Sequence, residues 1–225
     1  MFYVIDNILN EKELADIHAE LQHLEFEDGK KTAGWIAHQV KGNLQAKDFD
    51  RTLIAKTIRA NLLKNEQFRL CAAPVRLSSM MLSKYEAGME YGLHSDDPIM
   101  ESGKVRTDLA FTLFLSDPAS YDGGKLEISL GDQSNEAGQV QYKLSAGSLL
   151  IYPAIFRHRV LPVNSGRRLA VVGWVQSMIR DHQRREIIRE LTIAREALFR
   201  NGGKSNAFDG MCNALSNLVR MWAEN

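Results

Sequence analysis

Residues 147–177, GSLLIYPAIFRHRVLPVNSGRRLAVVGWVQS, decide the fold class of this 225-residue chain. Three segments, SLLIYP, HRVLPV and RRLAVVGWVQS, are rich in the branched apolar residues that favour β-strands. Turn-forming residues divide them: Ala146-Gly147 before the first segment and Asn164-Ser165-Gly166 between the last two. The stretch therefore predicts three strands, of which the last two form a hairpin that turns at residues 164–166.

The same strand signal continues N-terminally from this stretch as far as Pro74. Residues at every second position lie on one face of a strand, and two such faces can be assigned in this region. The predicted faces are Val75, Leu77, Ser79, Met81, Ser83 and Tyr85 in one strand and Leu109, Phe111, Leu113 and Leu115 in another. Two more strands, LEISL and QVQYKL, follow the turn at residues 122–124. Many short strands divided by Gly and Asp turns indicate a sandwich or jelly roll, with a core that includes Phe111, Leu113, Leu126, Ile128 and Leu150.

Both ends of the chain carry helical patterns. Asn10 and Glu13 form a capping pair ahead of apolar residues at helical spacing, namely Leu14, Ile17, Leu21 and Leu24. A second helix is predicted at about residues 49–63, with Phe49, Leu53, Ile58 and Leu62 facing inward. After Asp181 the pattern is helical again. It stops at residues 201–203 and resumes after Ser205 as a last helix.

The predicted fold is therefore α+β: a double-stranded β-helix (jelly roll) with N-terminal helices packed on it and a C-terminal helical hairpin. Residues 1–178 are predicted to form the jelly-roll domain and residues 179–225 a helical extension that is too small for a core of its own. Its apolar stripes are Ile187, Leu191, Ala194 and Leu198 in one helix and Phe208, Met211, Leu215, Leu218 and Trp222 in the other. We expect these stripes to pack on the jelly roll or to join two copies as a homodimer.

The composition argues against several kinds of partner. The formal net charge is +0 and the pI is about 7.0, so no global field attracts nucleic acid or an acidic membrane surface. No apolar run approaches the roughly 18 residues that span a bilayer. The two cysteines, Cys71 and Cys212, match no metal-binding or redox spacing. We therefore expect a soluble, cytoplasmic protein that binds neither nucleic acid nor membranes.

Residues 91–100, YGLHSDDPIM, carry a candidate metal site. Residues i and i+2 of a strand project to the same face, so His94 and Asp96 can chelate one ion together. Asp97 would then point away and shape the turn before Pro98. A His-x-Asp triplet alone is common and fits an ordinary polar loop as well, so it needs support from the rest of the sheet.

That support comes from His158 and Arg168, which flank the predicted hairpin turn. The turn can set both side chains on one side of the sheet, facing one cavity. Arg167 is the neighbouring alternative, but strand alternation lets only one of the two arginines face inward, and we expect Arg168. Two imidazoles and a carboxylate form the facial triad of non-haem Fe(II) oxygenases, which leaves positions for a 2-oxo acid and dioxygen. A guanidinium suits the distal carboxylate of 2-oxoglutarate because its planar fork pairs with both oxygens.

The combined motif resembles the Fe(II)/2-oxoglutarate-dependent dioxygenases. It reads Tyr85-x-x-Gly88-x-x-Tyr91-x-x-His94-x-Asp96, then His158, then Arg168 with Trp174 six residues later. The resemblance is closest to the prolyl 4-hydroxylase-like branch, and within it to the PKHD-type hydroxylases. The resemblance extends to further segments and so covers nearly the whole chain. These segments are TAGW (32–35), VKGNLQ (40–45), DGGKLEI (122–128), HRVLPV and GRRLAVVGWVQS.

The resemblance implies a set of site residues and a reaction. His94, Asp96 and His158 would be the catalytic metal ligands for Fe(2+), and Arg168 and Tyr85 would hold the distal carboxylate of 2-oxoglutarate. The reaction would hydroxylate a small molecule or a peptide side chain of prolyl or lysyl type, with L-ascorbate as a further cofactor.

Some assignments stay open at this point. Tyr91 and the polar residues of VKGNLQ (Lys41, Asn43 and Gln45) either contact the substrate or have ordinary packing and loop roles, and Trp174 is expected in the core. Two alternative functions also remain: a non-catalytic sensor of iron or 2-oxoglutarate with the same fold, and a zinc-dependent hydrolase or isomerase.

Overall fold

The computed structural model describes residues 2–131 and 138–224 of the chain. The helices in these ranges are α1 (Glu11–Leu21), α2 (Leu53–Lys64), α3 (Glu66–Ala72), α4 (His182–Gly202) and α5 (Asn206–Trp222). The strands are β1 (Tyr3–Ile5), β2 (Phe26–Asp28), β3 (Lys41–Gly42), β4 (Leu44–Ala46), β5 (Pro74–Leu77), β6 (Met81–Glu86), β7 (Glu90–His94), β8 (Ile99–Met100), β9 (Val105–Arg106), β10 (Leu109–Phe114), β11 (Tyr121–Gly123), β12 (Leu126–Ser129), β13 (Gln139–Tyr142), β14 (Leu149–Pro153), β15 (His158–Val160) and β16 (Val163–Ser177). Short 3-10 helices lie at Gly29–Thr32, Ala37–Gln39, Phe49–Arg51 and Pro118–Ser120.

Two antiparallel sheets form the body of the fold. The larger has the order β1-β14-β10-β16-β6-β4-β2, with β11 and β5 also paired to β16. The smaller has the order β13-β12-β15-β7-β3, and β8 and β9 make a separate ribbon. One apolar cluster contains buried residues from both sheets, so the sheets face each other. The α+β double-stranded β-helix predicted from the strand pattern is therefore confirmed.

Side-chain alternation along β10 divides the core into two layers. Phe111 and Leu113 face the N-terminal helices, and Phe111 meets Phe68 of α3 edge to face at 6.5 Å between ring centroids. Ala110 and Phe114 face the smaller sheet, in a cluster that includes Leu126, Ile128 and Leu150. All five predicted core residues are buried, so that prediction is confirmed.

The N-terminal helices begin at polar caps. The Asn10 side chain accepts from the backbone amide of Glu13, and the Glu13 carboxylate accepts from the amide of Asn10, so α1 has the expected capping box. Helix α2 begins later than predicted because residues 49–51 form a 3-10 turn, after which Thr52 caps the helix. Leu53 is consequently 67% exposed, and its predicted inward position is wrong. The sequence pattern does not predict the short helix α3.

The hairpin predicted at residues 164–166 is wrong. These residues belong to the continuous strand β16 and pair with β11, whereas β15 lies in the other sheet between β12 and β7. The chain therefore crosses from one sheet to the other at residues 161–162. Gly166 has φ +76, and a Cβ there would lie 2.4 Å from the carbonyl oxygen of Ser120. The Asn-Ser-Gly signal thus reflects a close backbone approach within a strand and not a turn.

The strand predicted from Val75 to Tyr85 is divided in two. Strands β5 and β6 pair with different parts of β16, and residues 78–80 between them lie outside the ladder. Val75, within β5, is 40% exposed. Within β6 the predicted face is confirmed, because Met81, Ser83 and Tyr85 all line the cavity described below.

The C-terminal helices form a hairpin. Strand β16 ends at Ser177 and α4 begins at His182, so the predicted boundary after residue 178 falls between the two elements. Phe199 contacts Phe208 of the facing helix at 5.0 Å between ring centroids. Leu215 is buried, but Ile187 is 45% exposed, so the predicted stripe of α4 is not fully covered. The separate domain and the homodimer stay predictions.

Among the described helices, none is both long enough and apolar enough to cross a membrane.

Candidate metal centre

Two strands of the smaller sheet bring three ligand side chains together. Strand β7 ends at His94, β15 begins at His158, and the two residues are paired across the ladder. Asp96 lies two residues beyond the end of β7, on a loop and not on the strand face as the spacing argument assumed. Its Oδ1 lies 3.9 Å from Nε2 of His94 and 3.7 Å from Nε2 of His158. One ligand atom from each residue lies within 4.8 Å of the others, a separation that suits a shared metal ion.

Backbone contacts fix which nitrogen each imidazole presents. Nδ1 of His94 lies 2.9 Å from the carbonyl oxygen of Gly92, and Nδ1 of His158 lies 3.2 Å from that of Phe156. If each Nδ1 donates to its carbonyl, each Nε2 carries the free lone pair that a metal needs. Burial, with a smaller contribution from His158, lowers the pKa of His94 to about 3, so this imidazole is neutral near pH 7.

The remaining features of the cluster also fit a metal ion. Oδ2 of Asp96 is buried and has no hydrogen-bond partner among the described residues. Tyr91 stacks on the His94 ring at 3.7 Å and 12°, which limits rotation of that imidazole. Asp97 is not part of the cluster: its carboxylate lies against Gly34, where a Cβ would be 2.8 Å from Oδ2. The structure therefore separates the two aspartates as the spacing predicted, although by a loop and not by strand alternation.

A buried cation lies in the larger sheet. Arg168 is 1% exposed and stands opposite Tyr85 in the ladder, whereas Arg167 is exposed and stands opposite Glu86. The inward position of Arg168 agrees with the alternation argument. Its guanidinium carbon lies 5.1 Å from the ring centroid of Tyr85 and 5.5 Å from that of Phe114. No carboxylate of the described residues lies within 4.0 Å of this guanidinium, so it can accept an anionic ligand.

Two tyrosines border the guanidinium. Burial raises the pKa of Tyr85 to about 12 against the opposing charge of Arg168, so the phenol keeps its proton and can donate. Tyr121 was not expected at the site. Tyr121 and Arg168 both lie against Gly124. A Cβ placed on this glycine would be 3.1 Å from Cε2 of Tyr121 and 3.2 Å from Cδ of Arg168. Both the Tyr121 hydroxyl and Arg168 Nε are buried without a hydrogen-bond partner among residues 2–131 and 138–224.

A single cavity of about 390 Å³ joins the ligand cluster to the guanidinium. Its wall includes the three ligand residues and Arg168, and also Tyr85, Tyr91 and Trp174. Trp174 is 7% exposed and packs in the core between the sheets, as predicted, but its indole also lines the cavity. Lys41 and Gln45 line the cavity as well, whereas Asn43 between them is buried without a partner for its amide group in the described part of the chain.

The chain is similar to known proteins in both sequence and structure. A family model described as the 2OG-Fe(II) oxygenase superfamily matches residues 80–176. The whole chain is 42% identical over 225 residues to a PKHD-type hydroxylase of Gloeothece citriformis and 45% identical over 231 residues to one of Synechococcus elongatus, and the match covers 100% of each relative. A Pseudomonas putida prolyl-4-hydroxylase is 21% identical (TM-score 0.52, 78% of this chain and 92% of that one). A Trichoplax adhaerens prolyl hydroxylase, solved with a hypoxia inducible factor peptide fragment, is 17% identical (TM-score 0.58, 77% and 82%). The two solved structures support the fold alone.

Proposed function

We propose a reaction for this protein from one premise: the chain belongs to the PKHD-type hydroxylases of the 2OG-Fe(II) oxygenase superfamily. It is therefore an oxidoreductase that uses Fe(II) and 2-oxoglutarate. In the proposed reaction one atom of dioxygen enters a substrate C–H bond and the other enters succinate: R–H + 2-oxoglutarate + O2 → R–OH + succinate + CO2. The substrate is a prolyl or lysyl side chain of a peptide or a small metabolite.

The observation that supports this proposal most is the shared cavity of the histidine–aspartate cluster and the buried guanidinium. His94, Asp96 and His158 would hold the iron through two Nε2 atoms and a carboxylate oxygen. Bound iron and 2-oxoglutarate supply the oxygen-activating chemistry. Because burial keeps His94 neutral, this imidazole is ready to bind a metal without first losing a proton.

The other end of the cavity would orient the co-substrate. The guanidinium of Arg168, which has no carboxylate partner among the described residues, would pair with the distal carboxylate of 2-oxoglutarate, and the Tyr85 phenol would donate to it. Buried apolar side chains around the site, among them Phe114, Leu126 and Val160, keep bulk water away from the reacting groups. A role for L-ascorbate stays a prediction.

The test is a turnover assay of the Fe(II)-loaded protein in air, with 2-oxoglutarate and a panel of prolyl peptides, lysyl peptides and small metabolites. The expected result is succinate formed together with a product that has gained one oxygen atom. An Arg168→Met variant should lose this activity, while Arg167→Met, which removes an exposed arginine, should keep it. Activity without dioxygen and without 2-oxoglutarate would instead favour a zinc-dependent hydrolase or isomerase. Tight binding of 2-oxoglutarate with no succinate above background would favour the sensor, which the hydroxylase names of the relatives do not support.

A further inference from the structure

The segment VKGNLQ (residues 40–45) crosses from one sheet to the other at the cavity. Its first part, β3, pairs with β7 of the smaller sheet through Lys41↔Tyr91, and its second part, β4, pairs with β6 of the larger sheet. Lys41, Asn43 and Gln45 alternate along the segment and are 4%, 3% and 3% exposed. The segment therefore presents a buried polar face and not the solvated loop that its composition allows.

Lys41 is a buried cation with unused hydrogen-bond donors. Its ammonium donates to the Thr32 hydroxyl at 3.0 Å, and this hydroxyl is also hydrogen-bonded to Gln45. An ammonium has three N–H donors, so two remain. Nζ lies 5.4 Å from the ring centroid of Tyr91, which stacks on His94, so the ammonium lies on the ligand side of the cavity.

The described residues do not neutralise this charge by direct contact. None of their carboxylates lies within 4.0 Å of Nζ of Lys41. The negative groups that act on it are Asp96 and the exposed Asp28, both at longer range. Asp96 would also share its charge with the iron. A buried ammonium without a paired anion is costly, which favours a site where a ligand supplies the anion.

We infer that Lys41 is a substrate-anchoring residue and that the substrate presents a carboxylate to its ammonium. This inference rests on the proposed function, because it assigns the co-substrate to other groups: one end to the metal ligands and the distal carboxylate to Arg168. It narrows the substrate class to amino acids, peptides with an accessible carboxylate, and other carboxylate-bearing metabolites. Thr32 and Gln45 act as positioning residues that hold the ammonium.

The experiment measures binding without turnover. The Fe(II) and 2-oxoglutarate complex is prepared without oxygen, and compounds are titrated against its visible charge-transfer absorbance. The compounds are N-acetylproline and N-acetyllysine, each as the free acid and as the amide, and N-acetylglutamate α-amide, whose carboxylate is on the side chain. The last compound distinguishes a main-chain carboxylate from a side-chain carboxylate. The protein is studied as wild type, Lys41→Met, Lys41→Arg and Lys56→Met, where Lys56 is an exposed lysine of α2.

The expected result is that at least one free acid binds the wild type about tenfold or more tightly than its amide, the size of one buried charge-assisted hydrogen bond. This preference should vanish in Lys41→Met, be kept in part by Lys41→Arg, and be unchanged in Lys56→Met. Affinity for 2-oxoglutarate should be unchanged in all variants.

Four results would overturn the inference: amides that bind as well as acids, a preference that survives in Lys41→Met, an equal loss of 2-oxoglutarate affinity in that variant, or no response to any carboxylate. Failure of the proposed function looks different: either the wild type shows no absorbance change on addition of 2-oxoglutarate itself, or it shows that change but forms no succinate in the turnover assay. Circular dichroism confirms that each variant is folded.

Discussion

Replacing Lys41 by methionine should make the metal-free protein more stable. Burial lowers the pKa of Lys41 from its ordinary value of 10.5 to about 8, against the opposing charges of Asp96 and Asp28. A shift of this size corresponds to about 3 kcal/mol at neutral pH, since one pKa unit is about 1.4 kcal/mol. Methionine is unbranched, of similar length and uncharged, so it removes this cost. Loss of the hydrogen bond to Thr32 offsets about 1 kcal/mol, which leaves a net gain of about 2 kcal/mol.

The pH dependence of this gain has a definite sign. Between pH 8 and 10.5 the unfolded chain holds a proton on Lys41 that the folded protein has released. The free energy of unfolding of the wild type therefore rises through this window relative to the variant. The advantage of Lys41→Met should be largest below pH 8 and disappear above pH 10.5.

Urea unfolding of the metal-free proteins at about pH 7 and about pH 10 measures the difference, and thermal unfolding should show a rise in Tm of roughly 4–8 °C at the lower pH. The control is Lys56→Met, an exposed position where we expect a change within about 0.5 kcal/mol. A Lys41→Met variant that is less stable than the wild type, or a gain that does not change with pH, would refute the reasoning. The first result would mean that the folded protein already compensates the buried ammonium, and the second that the gain does not come from its charge.

Three further predictions concern the metal and the co-substrate. Alanine in place of any one of His94, Asp96 and His158 should abolish measurable turnover and weaken Fe(II) binding by about a hundredfold or more. Asp97→Ala is the control and should leave the Fe(II) affinity unchanged. Equilibrium dialysis measures both affinities. Arg168→Lys should raise the Kd for 2-oxoglutarate by about thirtyfold or more, because lysine cannot pair in the planar two-bond geometry and its partner carboxylate is buried. Calorimetric titration measures this, and an equal effect of Arg167→Lys would contradict it. Tyr121→Phe should raise the same Kd by about fivefold, the value of one hydrogen bond, with iron affinity unchanged, and no change at all would exclude contact with the co-substrate end of the cavity.

Local patterns predicted the parts of the site that depend on local geometry. The alternation of side chains along β16 lets only one of the two neighbouring arginines face inward, and the structure buries Arg168 and exposes Arg167. The His-x-Asp spacing places Asp96 beside His94 because two residues of chain cannot separate the side chains far. The capping box at Asn10 is likewise a contact within one turn of helix.

The errors concern which strands lie next to each other. Residues 164–166 have the composition of a turn. A glycine such as Gly166 also occurs in a strand that lies close to another backbone, and only the position of β11 decides between a turn and such a strand. The inward position of Lys41 depends on the pairing of β3 with β7, about fifty residues later in the chain. Tyr121 lies beside Arg168 because β11 pairs with the start of β16. Strand partners far apart in sequence are set by the packing of the whole fold, which single-residue patterns do not contain.

With Lys41 protonated, the balance of buried charge also favours a negatively charged substrate. The buried side chains that line the described cavity carry two positive charges, on Lys41 and Arg168, and one negative charge, on Asp96, with His94 neutral. Asp97 and Glu101 also line the cavity, but both are exposed, so solvent screens their charges. Ferrous iron and the doubly negative 2-oxoglutarate cancel each other, so one positive charge remains among the buried groups after both have bound. A substrate with one carboxylate removes it, whereas a neutral or cationic substrate would leave an uncompensated charge in a poorly solvated cavity, at a cost of several kcal/mol. The order of affinities should therefore be anion, then neutral compound, then cation for molecules of equal size, and a cation that binds as tightly as its matched anion would show that Lys41 is neutral in the loaded protein.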